Sequence, residues 1–196
     1  MELFTDGRIP ALHDACLAKW YADARPESLE AGDTLESIIT TQHFCNVSLW
    51  DLEDDARRTD VDDHIIAKVK RGIDGWNQRR NDLVEIVDQF LLDQFDGIDV
   101  SNAQLNSETA GIMVDRMSIL SLKIHHMGIY AETKPDAALR QECADKQAIL
   151  KIQRADLLSC AEAIITDFQA GRRYFKSYKQ FKAYNDPRLN PKLATD

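Results

Sequence analysis

Apolar residues recur at three- and four-residue spacing through nearly the whole chain, and breakers are few, with 8 Gly and 5 Pro in 196 residues. Such spacing gathers the apolar side chains on one side of an α-helix. No alternating β-branched run bounded by turns argues for a strand. The expected fold is all-α: a single-domain helical bundle of five main helices plus a short docked C-terminal helix. With 44% apolar residues, a chain of this length closes one hydrophobic core.

The punctuation places the helices. A first runs from about Ile9 to Ala22 and ends before Arg25-Pro26. A second opens at Asp33-Thr-Leu-Glu36, read as an N-cap acid followed by Glu three residues on, and reaches about Arg57. A third follows Asp62-Asp63 and reaches about Phe95; Asp96 to Gln104 reads as a loop. A fourth follows Asn106-Ser-Glu-Thr109 and ends near Tyr130. A fifth has Pro135 in its first turn and lasts to about Ala170, with Gly171 as its C-terminal cap. Short breaks make helices two and three, and four and five, antiparallel neighbours.

No basic region followed by an apolar stretch opens the chain, and no apolar run reaches the roughly 18 residues of a membrane helix, so a cytoplasmic protein is expected. Cys16, Cys45, Cys143 and Cys160 stand far apart, without CxxC or Cys/His ligand spacing. They read as reduced, mostly buried thiols, and no metal or cofactor is expected. The net charge of −9 argues against general nucleic-acid affinity. It is uneven: residues 171–196 carry 7 Lys/Arg and 2 Asp/Glu, a net +5, leaving −14 on residues 1–170.

Polar residues standing on apolar faces carry the functional reading. In the second helix, Gln42, Asn46 and Glu53 lie along the axis of the face formed by Leu35, Ile38, Cys45, Leu49, Leu52 and Ala56, with Arg57 at its edge. In the third, Arg80 lies at the centre of the stripe formed by Val69, Ile73, Trp76, Leu83, Val84, Val87 and Leu91. Asn77 is about 60° off that axis and Asp88 is borderline. Lys70, Asp74, Asn81 and Glu85 read as a solvated stripe with a Lys70/Asp74 pair.

The fourth helix is apolar nearly all round, which marks it as the most buried; Asp115, Ser118 and His125 lean to one side and Arg116 and Lys123 to another. A buried charge without a partner costs several kcal/mol, so these groups must meet one another, water or a ligand. Two arrangements satisfy this. Glu53, Arg57, Arg80 and Asp115 sum to zero and can neutralise themselves as a structural network. Alternatively, Arg80 and Arg57, with Arg116 or Lys123, line a pocket for an anionic small molecule on which Glu53 or Asp115 acts. The candidate ligand-binding residues are Asn46, Glu53, Arg57, Asn77, Arg80, Asp115 and Arg116.

Glu85-Ile-Val-Asp88 with Asp51, Asp54 and Asp55 is similar to the paired-acid metal sites of helical nucleoside-triphosphate pyrophosphatases. Helical phase turns Glu85 about 140° from the apolar axis, which argues against Mg²⁺ between helices two and three. The segment Lys70 to Arg80 weakly resembles the first helix of helical chorismate mutases, whose inward arginines hold a dianion. His125-His126 reads as packing or surface histidines, because adjacent residues point about 100° apart and cannot share a ligand position. In the tail, Tyr174, Tyr178 and Phe181 form one helical stripe and Lys176, Lys179 and Lys182 another, as in an amphipathic helix docked on an acidic bundle rather than a nucleic-acid surface.

The segments NVSLWDLEDDAR (46–57), VKRGIDGWNQRRNDLVEIVD (69–88), NSETAGIMVDRMSILSLKIHHM (106–127) and YKQFKAYNDPRLNP (178–191) resemble the uncharacterised bacterial family called domain of unknown function 4254. Ala110 is a departure, since the family more often places Pro before that Gly. The resemblance implies a cytoplasmic helical protein of unassigned activity, whose relatives tend to lie beside genes for envelope polysaccharide assembly. It also marks Asn81 and Asp82, which helical phase turns outward, so helix three is covered on two sides if both readings hold. The expected function is binding of, or action on, an anionic metabolite, a phosphorylated sugar or sugar nucleotide. The alternative is a non-catalytic scaffold for another protein of that pathway. A homodimer or protein partner is left open, as is whether the chain is an enzyme.

Overall fold

The computed structural model describes residues 2–23, 25–179, 183 and 186–192. Five α-helices dominate it: α1 (Arg8–Ala22), α2 (Leu35–Asp55), α3 (Asp63–Gln94), α4 (Ala110–Thr133) and α5 (Ala137–Gln169). Side chains fix most of their starts. Thr34, not Asp33, caps α2 by accepting the Ser37 N–H at 3.2 Å. Thr109 caps α4 and Asp136 caps α5 in the same way. Ala110 is thus the first helical residue of α4, a position where proline's missing N–H costs nothing. Pro135 lies two residues before α5 rather than in its first turn.

Gly171 ends α5 with φ +67°, a conformation that penalises any Cβ, while Arg172 N–H returns to Asp167 O at 2.8 Å. The chain thereby reverses, and β2 (Arg173–Tyr174) pairs in parallel with β1 (Gln104–Leu105). The described part of the tail therefore departs from the expected amphipathic helix. Strand pairing satisfies its backbone and delivers Phe175, 1% exposed, against Phe168 in the core. Phe181 and Lys182 of the expected stripes lie outside the described residues.

As anticipated, α2 lies beside α3 and α4 beside α5, and α4 also touches α1, α2 and α3. Its position explains its apolar character: Ala110, Val114 and Met117 are fully buried among Ile9, Ile39, Val87, Leu91 and Ala161. No helix among the described residues is long and apolar enough to cross a membrane. All four cysteines are free; Cys45 and Cys143 are buried, Cys16 is half-buried and Cys160 is exposed.

α3 is covered on two sides. Its apolar stripe meets α2, and Asn81 and Asp88 are buried as well, at 8% and 3% exposure. The outward assignment of Asn81 fails because α4 enters beside it. Gly111 sits so close to α3 that a Cβ there would lie 2.6 Å from Val84 O and 2.8 Å from Asp88 Oδ1. The expected Lys70–Asp74 pair is present at 3.4 Å on the exposed face.

Candidate functional site

Helical spacing builds a cleft between three elements. On α2, Asn46, Trp50, Glu53, Asp54 and Arg57 fall at successive positions of one face; on α3, Asn77 and Arg80 are three residues apart; Ile119 and Leu122 of α4 close the far wall. The cleft measures about 300 Å³. Arg80 and Asn46 lie toward its inner end, and the Glu53–Arg57 pair marks its outer rim.

Asp115 anchors the inner end. Its Oδ1 accepts the Asn46 amide at 2.9 Å and the Gln42 amide, while Oδ2 lies 3.8 Å from Arg80 Nε. That separation is an ion pair but too long for a hydrogen bond. Among the described residues Arg80 Nε is buried without an acceptor, and Nη2 reaches Asn81 Oδ1 at 3.3 Å. Burial raises the Asp115 pKa, opposed first by the Arg80 charge and then by the Asn46 and Gln42 amides. The hydrogen bonds to Asp115 thus come from neutral amides, while Arg80 acts on it through charge and leaves its own Nε donor unused.

Behind Asp115 the hydrogen bonds continue inward. Asn46 Nδ2 also lies 2.8 Å from Ser118 Oγ, which meets His43 Nδ1 at 2.7 Å. The His43 ring lies 4.5 Å from that of His13 and stacks on Trp20. Both imidazoles are fully buried; burial holds His13 well below the ordinary histidine pKa and brings His43 down to about 3. Further out, Trp50 stacks on His126 at 4.4 Å, and Tyr21 Oη lies 3.1 Å from His126 Nε2. His125 and His126 are thus packing residues, with rings 5.5 Å apart and nearly perpendicular.

The seven residues expected to form the site are not all together. Asn46, Asn77, Arg80 and Asp115 converge. Glu53 and Arg57 line the cleft but pair with each other at 2.9 Å in solvent, because the last turn of α2 extends beyond the cover of α4. They do not neutralise Arg80 and Asp115. Arg116 is elsewhere: one residue on from Asp115, it turns about 100° away and pairs with Glu108 at 2.6 Å.

Sequence reasoning missed His13, His43 and Trp50. The signal was present for the histidines. His13 stands four residues from both Ile9 and Leu17, and His43 four from Ile39 and Val47, all buried. α2 has a second buried face, toward α1 and α4, that one apolar stripe does not reveal.

The arrangement can hold an anionic group against Arg80, offer amides from Asn46 and Asn77, and place a carboxyl of raised proton affinity nearby. Among the described residues no group of three or more His, Cys, Asp or Glu is placed to hold a metal ion. A family model described as "Protein of unknown function (DUF4254)" matches residues 36–177. No curated protein and no solved structure matches the chain.

Proposed function

We propose that this chain, which belongs to the DUF4254 family, binds an anionic metabolite in the cleft between α2, α3 and α4, with Arg80 as the anion-holding residue. The single observation that carries this reading is the Arg80 Nε, a buried donor without an acceptor, beside a carboxylate already served by two amides. A guanidinium kept for stability alone would be expected in a closed, bidentate pair with its carboxylate. A two-oxygen acceptor such as phosphate or carboxylate supplies what Asp115 does not.

Asn77 suits a hydroxyl or carbonyl group next to the anion, and Asn46, its N–H donors spent on Asp115 and Ser118, suits a hydroxyl through its carbonyl oxygen. Leu49, Trp50, Ile119 and Leu122 offer apolar contact to the rest of the ligand. A phosphorylated sugar or sugar nucleotide, handled in the bacterial cytoplasm, is the ligand class proposed from the family resemblance; the cleft itself speaks for the anion and a mixed polar and apolar body. Of the two carboxylates expected to act on a bound molecule, Glu53 lines the cleft and Asp115 is not among its lining residues.

Thermal unfolding tests the reading with inorganic phosphate, pyrophosphate, a hexose phosphate, a nucleoside-diphosphate sugar and a dicarboxylate. A ligand that binds only the folded state at a hundredfold excess over its Kd stabilises by about 2.7 kcal/mol, which gives a readable rise in Tm. The expected result is a rise with at least one of these in the wild-type chain and none with Arg80→Met. Indifference of the folded wild-type chain to all five overturns the proposal and favours a non-catalytic scaffold.

A further inference from the structure

Adjoining the cleft around α4, with Ile119 shared between them, an open trough of about 960 Å³ runs between α4 and α5, floored by Met113, Ile119, Leu120, Leu157 and Ile164. Beside it α5 presents a stripe that no described element covers: Ile149 and Ile152 are 57% and 62% exposed, and Cys160 and Ala163 continue the line. α5 touches α4, the short 3-10 turn Glu2–Phe4 and β2, and its outer face along these turns is bare. A ridge and a groove side by side on one face form a self-complementary surface, the requirement of a two-fold interface.

We propose that this face pairs with a second copy of the chain, the α5 helices crossing antiparallel near Ile152 so that each stripe lies along the other copy's trough. Charge supports this occupant. Arg154 Nη1 meets Ser121 Oγ at 2.8 Å and Gln147 Nε2 meets Ile124 O at 3.0 Å, and these contacts fix how α5 lies on α4. They set Arg116 level with Ser159 and Lys123 level with Ile152. An antiparallel partner centred on Ile152 brings its Asp145 level with Ser159, hence toward Arg116, which already pairs with Glu108, and its Asp156 about one helical turn from Lys123. Lys123 and Asp156 both line the trough, and neither has an ion-pair partner among the described residues. Stable interfaces bury roughly 800 Å² on each partner, so the adjoining trough must be covered together with the stripe.

Sedimentation of the full chain across about 1–100 μM tests this, with circular dichroism confirming that each variant is folded. A dimer is expected for the wild type, and monomer throughout this range for Ile152→Asp, a substitution at an exposed position that leaves the fold intact. Lys123→Glu should raise the dimer dissociation constant at least tenfold, and adding Asp156→Lys to the same chain should restore it. A wild-type chain that stays monomeric, a dimer indifferent to Ile152→Asp, or a charge exchange that fails to restore association overturns the proposal.

Discussion

Arg80 and Asp115 illustrate how two residues of one ion pair differ in what they hold up. Arg80 contributes a charge at 3.8 Å and little hydrogen bonding; Arg80→Met leaves Asp115 on its two amides without a counter-charge and should cost roughly 1–2 kcal/mol, measured by urea titration. Asp115 is the acceptor for two buried amides. Asp115→Ala strands Gln42 and Asn46 and should cost roughly 2–4 kcal/mol. The pair therefore predicts different profiles: ligand response lost with the smaller stability cost at residue 80, and the larger stability cost at residue 115. If Arg80→Met proves the more destabilising of the two, the guanidinium is structural. Arg80 was legible in the sequence as a cation inside an apolar stripe. Which acceptor it lacks was not, because that depends on α4 delivering Asp115 with its oxygens already engaged.

Between elements, the tightest requirement is where α4 begins. Gly111 N–H donates to Asp88 Oδ1 at 2.7 Å, and the two helices touch backbone to side chain there. Gly111→Ala forces α3 and α4 apart and should lower stability by roughly 1–3 kcal/mol, read as a drop in Tm. Asp88 is buried, and that burial raises its pKa to about 6. Its folded value lies above the ordinary 3.8, so its contribution is fully present below about pH 4 and is lost as pH rises through 6. Asp88→Asn retains an acceptor for Gly111 and should remove that loss, so that the variant gains stability relative to its parent between pH 4.5 and 7.5. A single sequence reveals the capping residues but not this approach. Asp88 sits at the margin of its own helix's apolar stripe, and only a second helix makes the margin an interior.

For the molecule as a whole, the buried His13 and His43 set the acid limit in the direction opposite to Asp88. Their folded pKa values lie below the unfolded 6.5, so their stabilisation is present above pH 6.5 and declines as pH falls toward the folded values. With His43 at about 3, this residue alone should remove about 2 kcal/mol between pH 6.5 and 5, at 1.36 kcal/mol per pH unit. His13→Leu should give a shallower acid decline than wild type in urea midpoints at pH 7 and pH 5. An equal slope in the two proteins would show that the imidazoles take up their protons without unfolding.

The chain's own pattern determined the five helices, their approximate ends, the pairing of neighbours and the inward cation, because 3.6-residue periodicity and capping chemistry are local properties. Tertiary packing decided the rest. It set α4 as a wall between two unlike faces, sent Arg116 away from Asp115, left Glu53 and Arg57 in solvent, and paired Arg173–Tyr174 as a short strand. These outcomes depend on which surface of one helix meets which surface of another. A helical stripe states how much must be covered and leaves open by what.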